Sequence, residues 1–270
     1  MRIRRLPYRP RVLYETTLAH HMVSLAAAVT VAVVLTVLLL HFANPRNAFD
    51  INRISISDIV AATANTFFRM LVAYIGSLAI AVPLGLLIAS TPQVQRVLLP
   101  IADILQSVPV LAFFPVVVVF FTTYRAFEAA AIFVIFITMV WNIVFPIVQG
   151  LHTIPDDIKS ASIVFNVHGL RKLRFITLPA VVPFIVVGSL MAWAQGWTVV
   201  IVAEVLHTYI PGGRMSQDLL GLGSLLVDSN AQGQGSVFAA ALTAMILLVT
   251  LINFLVWQPL LRLSQRYRFD

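Results

Sequence analysis

The chain has 270 residues, of which 60% are hydrophobic and 11% charged, and its formal net charge is +7 at pH 7. Soluble domains average roughly 45–50% apolar and about 25% charged residues, so the composition excludes an ordinary soluble domain and predicts an integral membrane protein. Cysteine is absent, which excludes disulfides and thiolate metal ligands, and the six histidines show no metal-ligand spacing. We therefore expect no metal site.

Six apolar runs are long enough to cross a membrane, because a helix needs about 20 residues to span roughly 30 Å of hydrocarbon. These runs are residues 23–42, 63–89, 98–121, 129–148, 180–206 and 237–256. They lack the alternation of a membrane barrel, and lipid does not tolerate unpaired backbone groups, so all six are predicted to be helices. The predicted fold class is an all-α integral membrane protein with about six transmembrane helices.

The runs divide the chain into a tail, an anchor and a main membrane domain. Residues 1–22 are predicted to be a basic cytoplasmic N-terminus. Run 23–42 is expected to be a retained first transmembrane helix, because five arginines precede it and no small-residue cleavage signal follows. Residues 62–260 hold the other five runs, and residues 261–270 are predicted to be a cytoplasmic tail.

The distribution of arginine and lysine predicts the orientation, since cytoplasmic loops carry an excess of positive charge. With the N-terminus in the cytoplasm, 13 of the 18 basic residues lie inside. Arg69 lies within run 63–89, and only Arg46, Arg53, Arg125 and Arg214 lie outside. Both termini are therefore predicted to be cytoplasmic, and the positive charge indicates topology rather than nucleic-acid binding.

The segments between the runs are too short to bury a core of their own. The GxxxxGK[ST] phosphate-binding loop is missing, and no cluster of His, Cys, Ser or carboxylate residues shows catalytic spacing. We therefore expect no catalytic residues and no nucleotide hydrolysis in this chain, so any energy source would be a partner.

The loop between the fourth and fifth runs, residues 155–179, has a distinctive construction. A helix is predicted to begin at Pro155, with Asp156 and Asp157 complementing its N-terminal dipole. Apolar residues then recur at intervals of three and four, at Ile158, Ala161 and Phe165. Asn166 tolerates a left-handed backbone and closes this helix, after which residues 169–175 resume a helix that leads into the fifth run.

This loop resembles that of the permease subunits of binding-protein-dependent ABC importers, which carry Glu-Ala-Ala, three residues, Gly, nine residues and Ile-x-Leu-Pro. The spacing fits at Ser160-Ala161-Ser162, at Asn166 and at residues 176–179 (ITLP). Three side chains depart from the pattern, because Ser160 replaces the glutamate, Ser162 the second alanine and Asn166 the glycine.

Further motifs extend the resemblance over about the last four-fifths of the chain. Residues 66–69 (TFFR) and 83–85 (PLG) are similar to the start and end of the family's first conserved span. Residues 106–109 (QSVP), 197–204 (WTVVIVAE) and 221–223 (GLG) resemble the branch that imports nitrate, sulfonates, taurine and related solutes. The resemblance implies that residues 62–260 are a type I ABC importer permease core, with a cytoplasmic coupling loop at 151–179.

The resemblance also implies partners and a mechanism. In this family of inner-membrane proteins, the loop docks on cytoplasmic ATPase subunits that bind ATP and Mg, and an external binding protein delivers the solute. ATP-driven closure of two ATPases then alternates the access of the pathway. Two ATPases require two docking loops, so a homodimer is the simplest assembly, with a different second permease left open. The implied coupling residues are Ser160, Ala161, Ser162, Phe165, Asn166, Val167, His168 and Gly169.

Polar residues inside spans are expensive and are functional candidates by default. Arg69 and Glu204 both lie within about two turns of the predicted outer surface, roughly 6 to 11 Å at 1.5 Å per residue. They are expected to form an ion pair near an outer gate, with direct contact to the solute as the alternative. Other polar residues are assigned either to the pathway or to hydrogen bonds between helices. They are Gln106, Ser107, Asn142, Gln195, Trp197 and Thr198.

The alternative function is a self-sufficient secondary transporter or channel, and a membrane enzyme is a third class. No internal inverted repeat is apparent, and Glu204 is the only acid in its span, so a proton relay is not supported. A neighbouring ATPase gene would distinguish these classes. The resemblance suggests a small anion without choosing among nitrate, bicarbonate, sulfonate or taurine, and an organic acid.

Overall fold

A computed structural model describes residues 55–89, 91–210, 212–214 and 217–265. The basic N-terminus, run 23–42 and the end of the tail lie outside these residues, so their assignments stay predictions. Within the described ranges every regular element is helical. The predicted all-α class is therefore confirmed.

The helices follow one another through short connections. In chain order the first are α1 (Ile56–Ile88), α2 (Pro92–Ser107), α3 (Val110–Thr123), α4 (Phe127–His152) and α5 (Asp156–Val164). Helix α6 (Gly169–Lys172) continues through a π-helical turn (Leu173–Thr177) into α7 (Leu178–Glu204). A 3-10 turn (His207–Tyr209) precedes α8 (Leu222–Ala231), and α9 (Gly235–Ile252) joins α10 (Gln258–Ser264) through a second π-helical turn (Asn253–Trp257).

Sequence signals account for where the first helices begin. The Ser55 hydroxyl accepts a hydrogen bond from the Ser57 backbone N–H at 3.3 Å, and Asp58 accepts one from the Ser55 N–H at 3.3 Å. Thr91 caps α2 in the same way by accepting from the Val94 N–H, and Pro92 occupies the first turn. These caps satisfy backbone donors that have no partner within the helix.

Four helical segments of the described chain are long and apolar enough to cross a membrane: Ile56–Ile88, Phe127–His152, Gly169–Glu204 and Gly235–Ser264. A fifth crossing is possible by length if the bent pair Pro92–Ser107 and Val110–Phe121 is one span. The second, fourth, fifth and sixth apolar runs therefore correspond to membrane-length helices.

The third run is not the continuous helix predicted for residues 98–121. It is broken between α2 and α3, whose axes differ by 82°. Val108 is extended there, with φ −73° and ψ 122°. The ring of Pro109 disfavours the helical conformation for the preceding residue, which explains the position of the break.

Helix α4 lies between α1 and α7, and these three helices form most of the core. Met70, Ile135 and Ile143 are fully buried at their contacts. Gly188 of α7 lies so close to α4 that a Cβ there would be 2.7 Å from the Asn142 carbonyl oxygen. Small residues of this kind let membrane helices approach closely, so the packing fits a membrane bundle.

Helix α8 lies between the fifth and sixth apolar runs, in a stretch for which no helix was predicted. Its 10 residues are too few to span the bilayer. Leu222 and Leu226 are buried and hold it against the bundle. The connection between α7 and α9 is therefore a folded element rather than an open loop.

Candidate functional site

Arg69 lies at the centre of a buried polar cluster. Its Nη1 donates to Glu204 Oε1 at 2.8 Å, so the predicted ion pair is present. Its Nε and Nη2 donate to the two carboxylate oxygens of Glu128 at 2.6 and 2.8 Å. The Arg69 side chain is 4% exposed and that of Glu204 is 0% exposed, whereas that of Glu128 is 58% exposed. One buried cation thus bridges two carboxylates.

Glu204 has a complete set of donors. Besides Arg69, the Thr66 hydroxyl donates to its Oε1 at 2.8 Å, and the backbone N–H of Gly223 donates to its Oε2 at 2.7 Å. Thr66 in turn accepts from the Leu222 N–H at 2.8 Å. The carboxylate therefore caps the N-terminus of α8, where the helix dipole favours a negative charge.

The glycines of the GLG motif make room for this carboxylate. A Cβ at Gly221 would overlap the carboxyl group of Glu204, and one at Gly223 would lie 2.6 Å from Ile201 Cα. Gly221 has an extended backbone with φ −165°, so its role is to permit close approach. The motif is thus explained by packing against the end of α7.

We call Thr66, Arg69, Glu128, Glu204 and Gly223 the Arg69 cluster. It joins α1, α4, α7 and α8 at the end of the bundle where α4 begins. Glu128, Thr66 and Gly223 were not predicted as members. Glu128 lies just before the apolar run 129–148, so it was not counted as an intramembrane charge. Gly223 takes part through its backbone N–H, which a sequence pattern cannot identify. Only the 3-residue spacing of Thr66 and Arg69, which places both on one face of α1, offered a signal.

Five of the predicted pathway residues line one cavity of about 480 Å³ beside the α2–α3 break. They are Gln106, Ser107, Asn142, Gln195 and Thr198. The first residues of α3, Val110 and Leu111, also border it. The described residues of its lining contribute amide and hydroxyl groups and no charged side chain, so they offer neutral hydrogen-bond partners to a solute.

A second cavity, of about 810 Å³, continues the first. The two share Gln106, Trp141 and Asn142, and the larger one extends to Gln95 and His152 near the start of α2 and the end of α4. Helix α5 follows that end of α4. Together the cavities reach from the α2–α3 break towards the coupling loop.

Arg69, Glu204 and Trp197 line neither cavity. Trp197 packs against Trp193, with ring centroids 6.0 Å apart. The structure thus separates the predicted pathway set into five polar residues around a cavity and three residues outside it, which are Trp197 and the Arg69–Glu204 ion pair. The role of that ion pair at an outer gate stays a prediction.

The coupling loop has the predicted order of helix, left-handed turn and helix. Asn166 has φ 53°, and it ends α5 (Asp156–Val164). The Val167 N–H donates to the Ser162 carbonyl at 2.8 Å and the Asn166 N–H to the Ile163 carbonyl at 3.0 Å. This is the Schellman arrangement, in which glycine or asparagine takes the left-handed position. Asn166 therefore replaces the family's glycine without changing the turn.

The predicted coupling residues do not share one surface. Ser160, Ala161, Phe165, Asn166, His168 and Gly169 are exposed, and Val167 is half-buried. Ser162 is 3% exposed, and its hydroxyl donates to the Lys159 carbonyl at 2.6 Å, so it faces the bundle. Its assignment as a coupling residue stays a prediction, and its side chain lies on the side of α5 that is turned towards the other helices. Ile163 and Val164, which were not predicted, are 71% and 79% exposed.

Comparison with known proteins identifies the protein family to which this chain belongs. Residues 81–267 match the family described as binding-protein-dependent transport system inner membrane component. The chain belongs to this family. It is therefore an integral inner-membrane protein, as its apolar helices indicated.

Named relatives include transport permeases for two inorganic anions. The chain is 32% identical over 188 residues to the nitrate import permease protein NrtB of Leptolyngbya laminosa, which covers 70% of this chain and 63% of that one. It is 32% identical over 133 residues to the bicarbonate transport system permease protein CmpB of Synechococcus elongatus, covering 49% and 47%. The matched part thus spans about half to two-thirds of the length of these relatives.

The fold is that of a solved importer. The inward-facing MetNI methionine ABC transporter, in its CY5 selenomethionine-soak crystal form, superposes with a TM-score of 0.65 at 18% identity, over 79% of this chain and 98% of that chain. The native CY5 form gives 0.60 at 19% identity. The type I ABC permease fold is therefore confirmed for this family member.

Proposed function

We propose that this chain is the transmembrane permease subunit of an ATP-driven importer for a small anion. In this proposal a cytoplasmic ATPase pair binds ATP and Mg²⁺ and docks on α5, and an external binding protein delivers the solute. Two permease chains, in the simplest case two copies of this one, enclose the pathway. Family membership supports the transport role, and the exposed apolar end of α5 is the observation that carries the coupling.

The end of α5 supports a docking role because it exposes apolar side chains outside the membrane-length helices, where polar side chains would be expected. Ile163, Val164 and Phe165 are 71 to 79% exposed, and Leu170 in the following helix, α6, is 82% exposed. Consecutive large apolar side chains on a loop outside the spans mark an interaction surface. The Asn166 turn holds this surface at a fixed angle to α6 and α7.

The cavities support the pathway assignment. The cavity of about 480 Å³ is lined by neutral amide and hydroxyl groups and bordered by the N-terminus of α3. Unpaired N–H groups and the dipole at a helix N-terminus favour anions. A neutral lining binds an anion weakly enough to release it, which suits a passage, and the named nitrate and bicarbonate permeases point to the same class of solute.

The coupling is tested by the substitution Ala161→Arg, with Ala231→Arg as the matched control. Both alanines are exposed, but Ala231 ends α8 in a different part of the chain. We expect Ala161→Arg to lose ATPase co-purification and transport while its thermal unfolding stays unchanged, and Ala231→Arg to keep all three. Wild-type transport and ATPase binding by Ala161→Arg would refute the docking assignment.

The solute pathway is tested separately, with the binding protein encoded beside the gene and labelled nitrate, bicarbonate and taurine in proteoliposomes. Asn142→Leu removes a polar group from both cavities, and its amide donates only within α4, to Thr138 O at 3.0 Å. We expect anion uptake to fall at least about tenfold with ATPase binding retained. Asn230→Leu, at an exposed position of α8, is the control. Unchanged uptake by Asn142→Leu would exclude this cavity from the pathway.

A further inference from the structure

Three potential metal ligands converge in the segment that connects α7 to α9. His207 lies in the 3-10 turn after α7, Asp218 lies in the loop before α8, and Asp228 lies on α8. One ligand atom from each residue lies within 4.8 Å of the others. Their separations of 11 and 10 residues match no short metal motif, so a site was not predicted from the residue pattern.

The first two ligands are held in place. His207 Nδ1 lies 2.6 Å from Asp218 Oδ2, and Asp218 Oδ1 accepts the His207 backbone N–H at 2.8 Å. The Asp218 side chain is only 3% exposed. Both oxygens of this buried carboxylate therefore point to the turn that carries the imidazole.

The third ligand, Asp228, is a half-buried residue with one buried carboxylate oxygen. Asp228 Oδ1 is buried and has no hydrogen-bond partner among the described residues. A buried oxygen without a hydrogen-bond partner destabilises a fold, and a bound cation would supply the missing partner.

We propose that His207, Asp218 and Asp228 bind a divalent metal ion of the Zn²⁺ class. Two carboxylates balance the charge of the ion, and the imidazole favours a transition metal over Ca²⁺ or Mg²⁺, which prefer oxygen ligands alone. Three protein ligands and one water complete the tetrahedral coordination of zinc. The ion would give a charged partner to the Asp228 carboxylate, whose Oδ1 has no hydrogen-bond partner among the described residues.

Small side-chain rotations are sufficient to form the site. Zinc–ligand bonds of about 2.0–2.2 Å place tetrahedral ligand atoms roughly 3.3–3.5 Å apart. The His207–Asp218 pair, at 2.6 Å, must open by less than about 1 Å, while Asp228 moves closer.

The ion would fix the connection that carries the GLG motif. The Leu219 N–H, next to Asp218, donates to the Glu204 carbonyl at 3.0 Å, and Gly223 is bonded to the Glu204 side chain. A metal at Asp218 therefore stabilises the segment that completes the Arg69 cluster. This role is structural and does not depend on which solute the protein carries.

The test uses the full chain in detergent, purified with its affinity tag removed and treated with a chelator. Isothermal titration with Zn²⁺ is expected to give one equivalent per chain, and Zn²⁺ is expected to raise the thermal midpoint. Asp228→Asn should weaken Zn²⁺ binding at least tenfold and abolish the thermal shift. Asp157→Asn and His168→Gln, exposed positions on the coupling loop, are the matched controls and should bind like the wild type.

The metal-free Asp228→Asn protein provides an independent fold control. It loses the buried charge and no hydrogen bond of Oδ1, so it should unfold at or above the midpoint of the metal-free wild type. Binding well below one equivalent, an unchanged affinity in Asp228→Asn, or equal binding of Ca²⁺ would each overturn the proposal.

Discussion

The two ends of α4 lie in regions of opposite character, one with buried and paired charges and the other with exposed apolar side chains. At its start, Glu128 enters the Arg69 cluster, where buried charges receive partners from four helices. At its end, α4 leads into α5, whose last residues are large, apolar and exposed. The 26 residues of α4 separate these regions by roughly 39 Å at 1.5 Å per residue.

The difference shows which region depends on other chains. The Arg69 cluster pairs its charges with groups of its own chain, so we expect it to form whether or not a partner is bound. The end of α5 leaves apolar surface that no described residue of this chain covers, so we expect it to be completed by another protein. The first region should therefore respond to mutation through stability, and the second through association.

The largest effect on stability is expected from Arg69→Met. It leaves Glu204 buried without its cation, and an unpaired buried charge typically costs about 3–5 kcal/mol. The double variant Arg69→Met/Glu204→Gln removes both charges and should cost less than Arg69→Met alone. The measurement is the free energy of unfolding in detergent across the double-mutant cycle.

Glu128→Gln is the control for this cycle. Glu128 also bonds Arg69, but its side chain is 58% exposed, and exposed ion pairs contribute about 0–1 kcal/mol. A loss for Glu128→Gln as large as that for Arg69→Met, or additive effects of Arg69→Met and Glu204→Gln, would show that burial of the Arg69–Glu204 pair is not what matters.

A smaller loss, of about 1–3 kcal/mol, is expected for Gly223→Ala, because overpacking forces the backbone apart. The new Cβ would lie 2.6 Å from Ile201 Cα. Gly76→Ala is the matched control, since its Cβ would meet Phe136 at an ordinary 3.4 Å. Thermal unfolding of both variants checks the expectation, and equal midpoints would contradict the close approach of α8 to α7.

Asn166→Val should cost about 1–2 kcal/mol, because a β-branched residue is strained in the left-handed conformation. Asn166 has φ 53°. Asn166→Gly should leave stability nearly unchanged while keeping the same turn. The ratio of transport to ATP hydrolysis in the two variants, compared with the wild type, checks whether the angle of α5 matters, and a fully coupled Asn166→Val protein would show that it does not.

The least effect on stability is expected for Phe165→Ser, because the side chain is 77% exposed and has little packing to lose. Its effect should be on ATPase association, which we expect to weaken at least about tenfold in a pull-down titration. Phe120→Tyr, which adds one hydroxyl to a side chain exposed on α3, is the comparison that should change neither property. An intact ATPase affinity in Phe165→Ser would remove this residue from the docking surface.

Much of the fold was predictable because long apolar runs and rare intramembrane charges have few physical solutions. Four of the predicted apolar runs form membrane-length helices. Arg69 and Glu204, the only two charged residues deep in runs two and five, form an ion pair. The Asn166 turn was predictable for a similar reason, since few residues other than glycine accept positive φ.

The remainder depends on contacts that a sequence pattern does not encode. Gly223 donates a hydrogen bond to Glu204 from its backbone N–H. Glu128 lies in the first turn of α4, just before the apolar run 129–148. Ser162 carries the spacing of the coupling motif but faces the bundle. The α2–α3 break follows from Pro109, yet other prolines, such as Pro115 and Pro146, lie inside continuous helices. Tertiary packing decides between these outcomes.

The most direct test of the difference between the two regions is hydrogen exchange of the chain with and without its nucleotide-free ATPase. We predict that the ATPase protects amides in residues 156–170 and leaves those in residues 204–223 at their original rates. Unchanged exchange in residues 156–170, or protection confined to residues 204–223, would contradict the account.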